Sequence, residues 1–360
     1  MIADRLRDRI RQTGPVSIAA FMTEALFDPQ EGYYATKDPI GAGADFITAP
    51  EISQMFGELM GLWAAQSWLD MGRPSPVQLV ELGPGRGTMM ADALRAARTV
   101  PGFIEAAQIV LIEASAALKA VQARTLGPTG AQIRWIDRIE AVPAGPAIVL
   151  GNEFLDCLPV RQAIRRGDQW HERMVGLDED ENFVFLLGPP LGVDTGLIPQ
   201  ALRDAPEDSL VELRPGDLQV VEAIAGRFAD QPGRALFIDY GPAASETGDT
   251  LQAVRAHKKV PVLEDPGTAD LTARVDFESL IRAAGMRGLT AYGPVEQGDF
   301  LLGLGLEARA AALSQSAPEK RPAIARQVWR LTEPDQMGRL FKLVCLDSEG
   351  LPLPPGFTAR

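Results

Sequence analysis

Apolar residues in the first twelve positions recur at helical spacing. Ile2, Leu6 and Ile10 fall on one face, while Asp4, Arg5, Arg7, Asp8 and Arg9 occupy the others. The pattern predicts an amphipathic surface helix from Met1 to Gln12. Helices and loops are expected to continue through residue 75, with a glycine-rich break at Gly41 to Gly43. A long apolar-periodic helix is predicted from Pro50 to Asp70, ended by Gly72, Pro74 and Pro76.

From Val77 short apolar runs alternate with helical stretches. Strands are predicted at Val77 to Leu82, Gln108 to Ile112, Gln132 to Ile136 and Ala147 to Leu150, with helices at Thr88 to Ala97 and Ser115 to Arg124. Alternation of this kind predicts an α/β fold with a parallel sheet covered on both faces. It pauses at Arg161 to Leu187, an antiparallel excursion whose turn is the acidic run 178–181, and at the loop-rich stretch Gly188 to Glu212. A helix at Asp217 to Phe228 and a fifth strand at Ala235 to Asp239 resume it. Asp276 is placed to cap a helix ending at Ala284, and a helical run from Asp299 to Arg330 separates strands at Leu289 to Tyr292 and Phe341 to Leu346. The expected division is an N-terminal helical region (1–75), a core (76–160 and 232–360) and a substrate-facing insertion (161–231).

Composition narrows the possible partners. The 360 residues carry a formal charge of −13, which argues against nucleic-acid binding and leaves room for a cationic protein segment. Two cysteines and two histidines give no disulfide framework and no catalytic zinc site. No stretch of about 18 apolar residues predicts a membrane span. Asp4 and Asp8 fit neither a secretory signal nor a transit peptide, so a cytoplasmic protein is expected. Nothing in the sequence fixes an oligomeric state.

The most informative motif is Glu81-Leu-Gly-Pro-Gly-Arg-Gly87, at the end of the first strand and the turn into a helix. Glycines there let a ligand meet backbone amides at a helix N-terminus. Gly83, Gly85 and Gly87 are spaced G-x-G-x-G, and Thr88 stands where a dinucleotide fingerprint continues differently. Glu113 closes the second strand 30 residues beyond Gly83, later than a dinucleotide site requires, and can accept hydrogen bonds from both ribose hydroxyls. This combination resembles the S-adenosylmethionine site of class I methyltransferases. The resemblance assigns Glu81, Gly83, Pro84, Gly85, Gly87 and Glu113 to the cofactor, and Asp137, just after the third strand, to its adenine.

Asn152, Glu153 and Asp156 follow the fourth strand, where ligands bind in open α/β sheets. A guanidinium is a poor nucleophile because it is cationic and delocalised. A carboxylate such as Glu153 can hold it and keep positive charge away from the attacking nitrogen. His257, after the fifth strand, is a candidate proton acceptor or substrate contact. His171, in the excursion, reads as structural or exposed.

Several further segments resemble one family over nearly the whole chain: Gly14-Pro-Val-Ser17, Gly32-Tyr-Tyr34, 45–51 (DFITAPE), 152–156, Asp239-Tyr-Gly241, 270–277, 297–301 and 337–342. Together with the glycine loop they are similar to the MidA-like methyltransferases, which include a mitochondrial complex I assembly factor with protein-arginine methyltransferase activity. The resemblance implies a seven-stranded Rossmann-like class I methyltransferase fold and S-adenosylmethionine-dependent methylation of an arginine, in a complex I subunit for the mitochondrial member. It carries Gly83, Gly85 and Glu113 as cofactor residues and Glu153 as the substrate carboxylate. The alternative expectation is a non-catalytic assembly chaperone that keeps the cofactor fold.

Overall fold

The computed structural model describes residues 1–36 and 48–358. The break at Gly41 to Gly43 and residues 45–47 of the DFITAPE segment lie outside the described residues.

Buried apolar runs build the main sheet. Its strands are β1 (Val77–Leu82), β2 (Ala107–Ile112), β3 (Ile133–Ile136), β4 (Ala147–Asn152), β5 (Gly233–Tyr240), β6 (Thr290–Glu296) and β7 (Phe341–Asp347). Their order across the sheet is β6-β7-β5-β4-β1-β2-β3. β7 is antiparallel to both neighbours, and the remaining pairs are parallel. The winding direction reverses between β1 and β4, which opens a crevice beyond their carboxyl ends.

Successive strand residues point to opposite faces, and both faces are covered. On one, Leu79, Leu111 and Leu150 pack with Phe56 and Trp63 of the helix Gln54–Asp70 and with Phe300, Leu306 and Leu331 of the C-terminal helices. On the other, Val80, Val149 and Phe237 meet Val221, Ile224 and Phe228 of the helix Pro215–Phe228, together with Phe277 and Leu280. Helix 54–70, assigned to the N-terminal region, and helix 215–228, assigned to the insertion, are layers of the core.

Helix 54–70 also sets the position of the helix Thr88–Ala97 that follows the glycine loop. A β-carbon at Gly61 would lie 2.2 Å from the carbonyl oxygen of Ala93, so glycine is what lets the two helices touch. Buried Glu58 accepts from Arg95 and Arg309, fastening the pair to the helix Leu306–Ser316.

The predicted helix over 50–70 is two pieces. Ser53 is extended (φ −157°), and its hydroxyl accepts the Met55 N–H, capping Gln54–Asp70 instead of continuing the short helix Ala49–Ile52. β4 runs two residues past its predicted end and carries Gly151 and Asn152.

The N-terminal helices Ile2–Thr13 and Ile18–Phe27 pack on the excursion rather than on the main sheet. Val16 and Ser17 pair with Val175 and Met174, and Ile2, Leu6, Phe21 and Met22 share a core with Val175, Leu251 and Leu271. The excursion forms strands Arg161–Arg166, Gln169–Leu177 and Phe183–Pro190. Its acidic turn is closed by the Asp178 N–H to the Asn182 carbonyl at 3.0 Å. A small sheet, Gln252–Arg255, Lys258–Val260 and Asp270–Thr272, completes this second layer. Its strands are too short and too polar to register as an apolar run.

Candidate active site

A cavity of about 670 Å³ opens at the carboxyl ends of β1, β2 and β4. Eight of the sequence-assigned residues line it: Glu81, Gly83, Pro84, Gly85, Glu113, Asp137, Asn152 and Glu153. Gly83 and Gly85 take left-handed backbone at φ 60° and 52°, which turns the chain from β1 into helix 88–97. A β-carbon at Gly83 would also press on the Phe154 ring at 3.0 Å.

Glu113 is held from behind. Its Oε1 accepts the Ser115 N–H at 2.7 Å and its Oε2 accepts from Gln122 Nε2 at 3.0 Å. Burial raises its pKa, against those two hydrogen bonds and the charge of Lys119. Glu81 is buried, and desolvation pushes its pKa up to about 8. Glu81 Oε2 and Asn152 Oδ1 are buried acceptors with no hydrogen-bond partner among the described residues. Two unmatched acceptors beside a cavity fit a ligand that brings donors, an ammonium group above all.

Glu153 stands at φ 49°, where a side chain other than glycine is strained. Its N–H to the Ile238 carbonyl (2.8 Å) holds that backbone. Its Oε1 accepts from the Ala49 N–H at 3.1 Å and from Asn152 Nδ2 at 3.2 Å, while Oε2 accepts no bond from a described residue. Burial, with added repulsion from Asp156, raises this carboxyl to about 8 against those two hydrogen bonds. A carboxyl so poorly solvated ionises readily only when a cation meets it.

A family of S-adenosyl-L-methionine-dependent methyltransferases matches residues 59–295. The chain belongs to this family. Among curated relatives, "Protein arginine methyltransferase NDUFAF7, mitochondrial" of Danio rerio is 37% identical, covering 95% of this chain and 85% of its own. The Homo sapiens protein of the same name is 35% identical over 94% of this chain and 81% of its own. A Burkholderia thailandensis crystal structure with S-adenosyl-homocysteine bound superposes with a TM-score of 0.86 at 28% identity, covering 99% of this chain and 93% of that one. The cofactor of this methyltransferase family is thus the one to which the glycine loop and Glu113 point.

These relatives overturn one expectation. They are named as mitochondrial proteins, so the cytoplasmic assignment does not stand. That expectation rests on Asp4 and Asp8 as charges unlike a targeting signal, whereas Ile2, Leu6 and Ile10 of the same helix are buried in the fold.

Three sequence-assigned residues do not line the cavity of this methyltransferase. Gly87 serves the turn, at φ 80° as the N-cap of helix 88–97. Asp156 is buried behind the crevice beside Asp239, whose Oδ2 accepts the N–H groups of Leu155 and Asp156. Burial raises Asp156 to about 6, against the charge of Arg214. His257 sits exposed at a hairpin tip, with Ala256 and His257 both left-handed, between strands 252–255 and 258–260. The sequence places it on the loop after the fifth strand, and the hairpin there carries it away from the cavity lining.

Other lining residues escaped the sequence assignment. Glu51 accepts from the Thr88 hydroxyl at 2.5 Å, bridging the 49–52 turn and the glycine-loop helix. Tyr34 donates to Asp270 at 2.8 Å. Leu26, Phe27, Leu158, Pro159 and Val220 add apolar side chains to the cavity lining. The resemblance had flagged the segments around Tyr34 and Glu51, but not what these side chains touch.

Proposed function

We propose that this chain is a protein arginine N-methyltransferase whose acceptor is a subunit of respiratory complex I. The observation that carries this reading is the placement of Glu153 Oε2, free of bonds from described residues, in the same cavity as the glycine loop and Glu113. The names of the curated relatives support arginine as the acceptor. The complex I subunit rests on the resemblance to the family's mitochondrial assembly factor.

In this reading Glu113 accepts the ribose hydroxyls, Gly83 and Gly85 bring backbone close to the amino-acid end, and Pro84 stiffens the turn between them. Glu81 and Asn152 offer their unmatched oxygens to the ammonium, and Asp137 lies toward the adenine. When bound, S-adenosylmethionine supplies an electrophilic methyl group on a sulfonium.

The chain's own residues then manage the nucleophile. The apolar lining residues Leu26, Phe27, Leu158, Pro159 and Val220 keep water out and leave room for the aliphatic stem of an arginine. Glu153 Oε2 accepts N–H bonds from the guanidinium and draws positive charge toward itself, so that the attacking nitrogen gains the methyl as the methyl's bond to sulfur breaks and gives up one N–H proton, leaving the product a monocation. Ala49 and Asn152 hold Oε1, so the carboxyl group is oriented before the acceptor arrives and ionises it. Methyl-labelled cofactor incubated with isolated complex I subunits tests the reading. Label on an arginine is the expected outcome, and cofactor binding without any labelled product would favour the chaperone alternative.

A further inference from the structure

We propose that Gln122 is a positioning residue that sets the spacing between the two walls of the cofactor cleft, a role resting on the cofactor reading above. Gln122 belongs to the helix Ala116–Leu126, is fully buried, and does not line the cavity. Its amide joins three strand ends. Nε2 donates to the Gly85 carbonyl at 2.8 Å and to Glu113 Oε2 at 3.0 Å, while Oε1 accepts from Trp135 Nε1 at 2.8 Å.

The partners fix the orientation of that amide. An indole N–H can only donate and a backbone carbonyl can only accept, so oxygen must face Trp135 and nitrogen must face Gly85. Both amide hydrogens and the oxygen are then used. One hydrogen holds the glycine loop beyond β1, the other holds the carboxylate beyond β2, and the oxygen anchors both to β3. The Ser115 N–H occupies Glu113 Oε1, so the two bonds together turn the carboxylate's remaining lone pairs one way. The Gly83 N–H also donates to the Ile112 carbonyl at 3.2 Å, tying the two strand ends through backbone, and Gln122 extends that tie to the Gly85 carbonyl and the Glu113 carboxylate. A mobile spacing here would have to be ordered at each binding event, and a built-in one removes that cost.

Isothermal titration with S-adenosylhomocysteine tests this, using the full chain and the variants Gln122→Met and Gln122→Glu. Gln122→Met keeps the volume and loses both donors; affinity should fall about tenfold to a hundredfold, as expected for bonds that include one to a charged group. Gln122→Glu keeps the shape, loses the donors and adds repulsion to Glu113, so its affinity should fall further and recover in part as pH is lowered. It also preserves the test if Gln122→Met fails to fold. Because Gln122 acts through Glu113, the loss in Gln122→Met combined with Glu113→Ala should be smaller than the product of the single losses. Variants of lowered thermal stability that bind within twofold of the unaltered chain would overturn the inference and leave the cofactor reading intact. Absence of binding by the unaltered chain would overturn that reading, and the inference with it.

Discussion

Asn152 donates from Nδ2 to Oε1 of Glu153 over 3.2 Å and, with the Ala49 N–H, fixes that carboxyl oxygen and leaves the other for an incoming cation. Glu153→Gln keeps the shape but removes the charge that favours a guanidinium. Transfer to an arginine peptide should fall at least about a hundredfold, while S-adenosylhomocysteine affinity changes less than threefold. Rapid-quench transfer assays and calorimetry on the same preparation check this. Full activity in the variant would remove the carboxylate from the mechanism.

The same carboxyl gives a pH dependence of defined sign. It titrates at about 8 with no cation beside it, and a bound guanidinium favours its ionised form. Acceptor binding therefore releases a proton, and KM for an arginine peptide should fall as pH rises from about 6.5 to about 8.5. The slope should vanish in Glu153→Gln. A KM that rises over this range would contradict the assignment.

Gly85→Val puts a β-branched residue at φ 52°, a conformation it does not tolerate. Cofactor binding should be lost while far-UV circular dichroism still reports the folded sheet. Binding retained within threefold would show that the loop does not need glycine there.

Glu81 links stability to pH. Its folded pKa, about 8, lies above the ordinary value of 4.5, so the folded chain binds more protons than the unfolded one between them. This group's contribution to stability is therefore present below about 4.5 and is lost as pH rises toward 8. Glu81→Gln escapes that loss. The melting temperature of the cofactor-free variant, relative to the unaltered chain, should climb by at least a few degrees between about pH 5 and pH 8. A constant difference would mean that Glu81 is not desolvated as described.

Gly61→Ala places a β-carbon 2.2 Å from the Ala93 carbonyl oxygen. The two helices must part, and the chain should lose roughly 1–3 kcal/mol in urea unfolding. An unchanged midpoint would mean that the contact relaxes freely.

Much of this was legible in the sequence because it rests on local demands. Val77–Leu82 and Thr88–Ala97 fall where apolar runs and turn chemistry place them. Gly83 and Gly85 were readable because a ligand-binding turn needs backbone that only glycine adopts. Gln122, Glu51 and Tyr34 are not legible as site residues, since each acquires its role from partners 37 to 236 residues away or on another element. His257 misled for the converse reason. Its place depends on a small polar hairpin, and short strands without a buried face leave little periodicity to read.

The decisive measurement is site-resolved mass spectrometry after incubating the chain with trideuteromethyl S-adenosylmethionine and complex I subunits taken from cells lacking the enzyme. A trideuteromethyl group on a guanidino nitrogen, absent with Glu153→Gln, is the expected result. Deuterium on any other side chain, or none at all while S-adenosylhomocysteine binds tightly, would contradict the arginine methyltransferase reading.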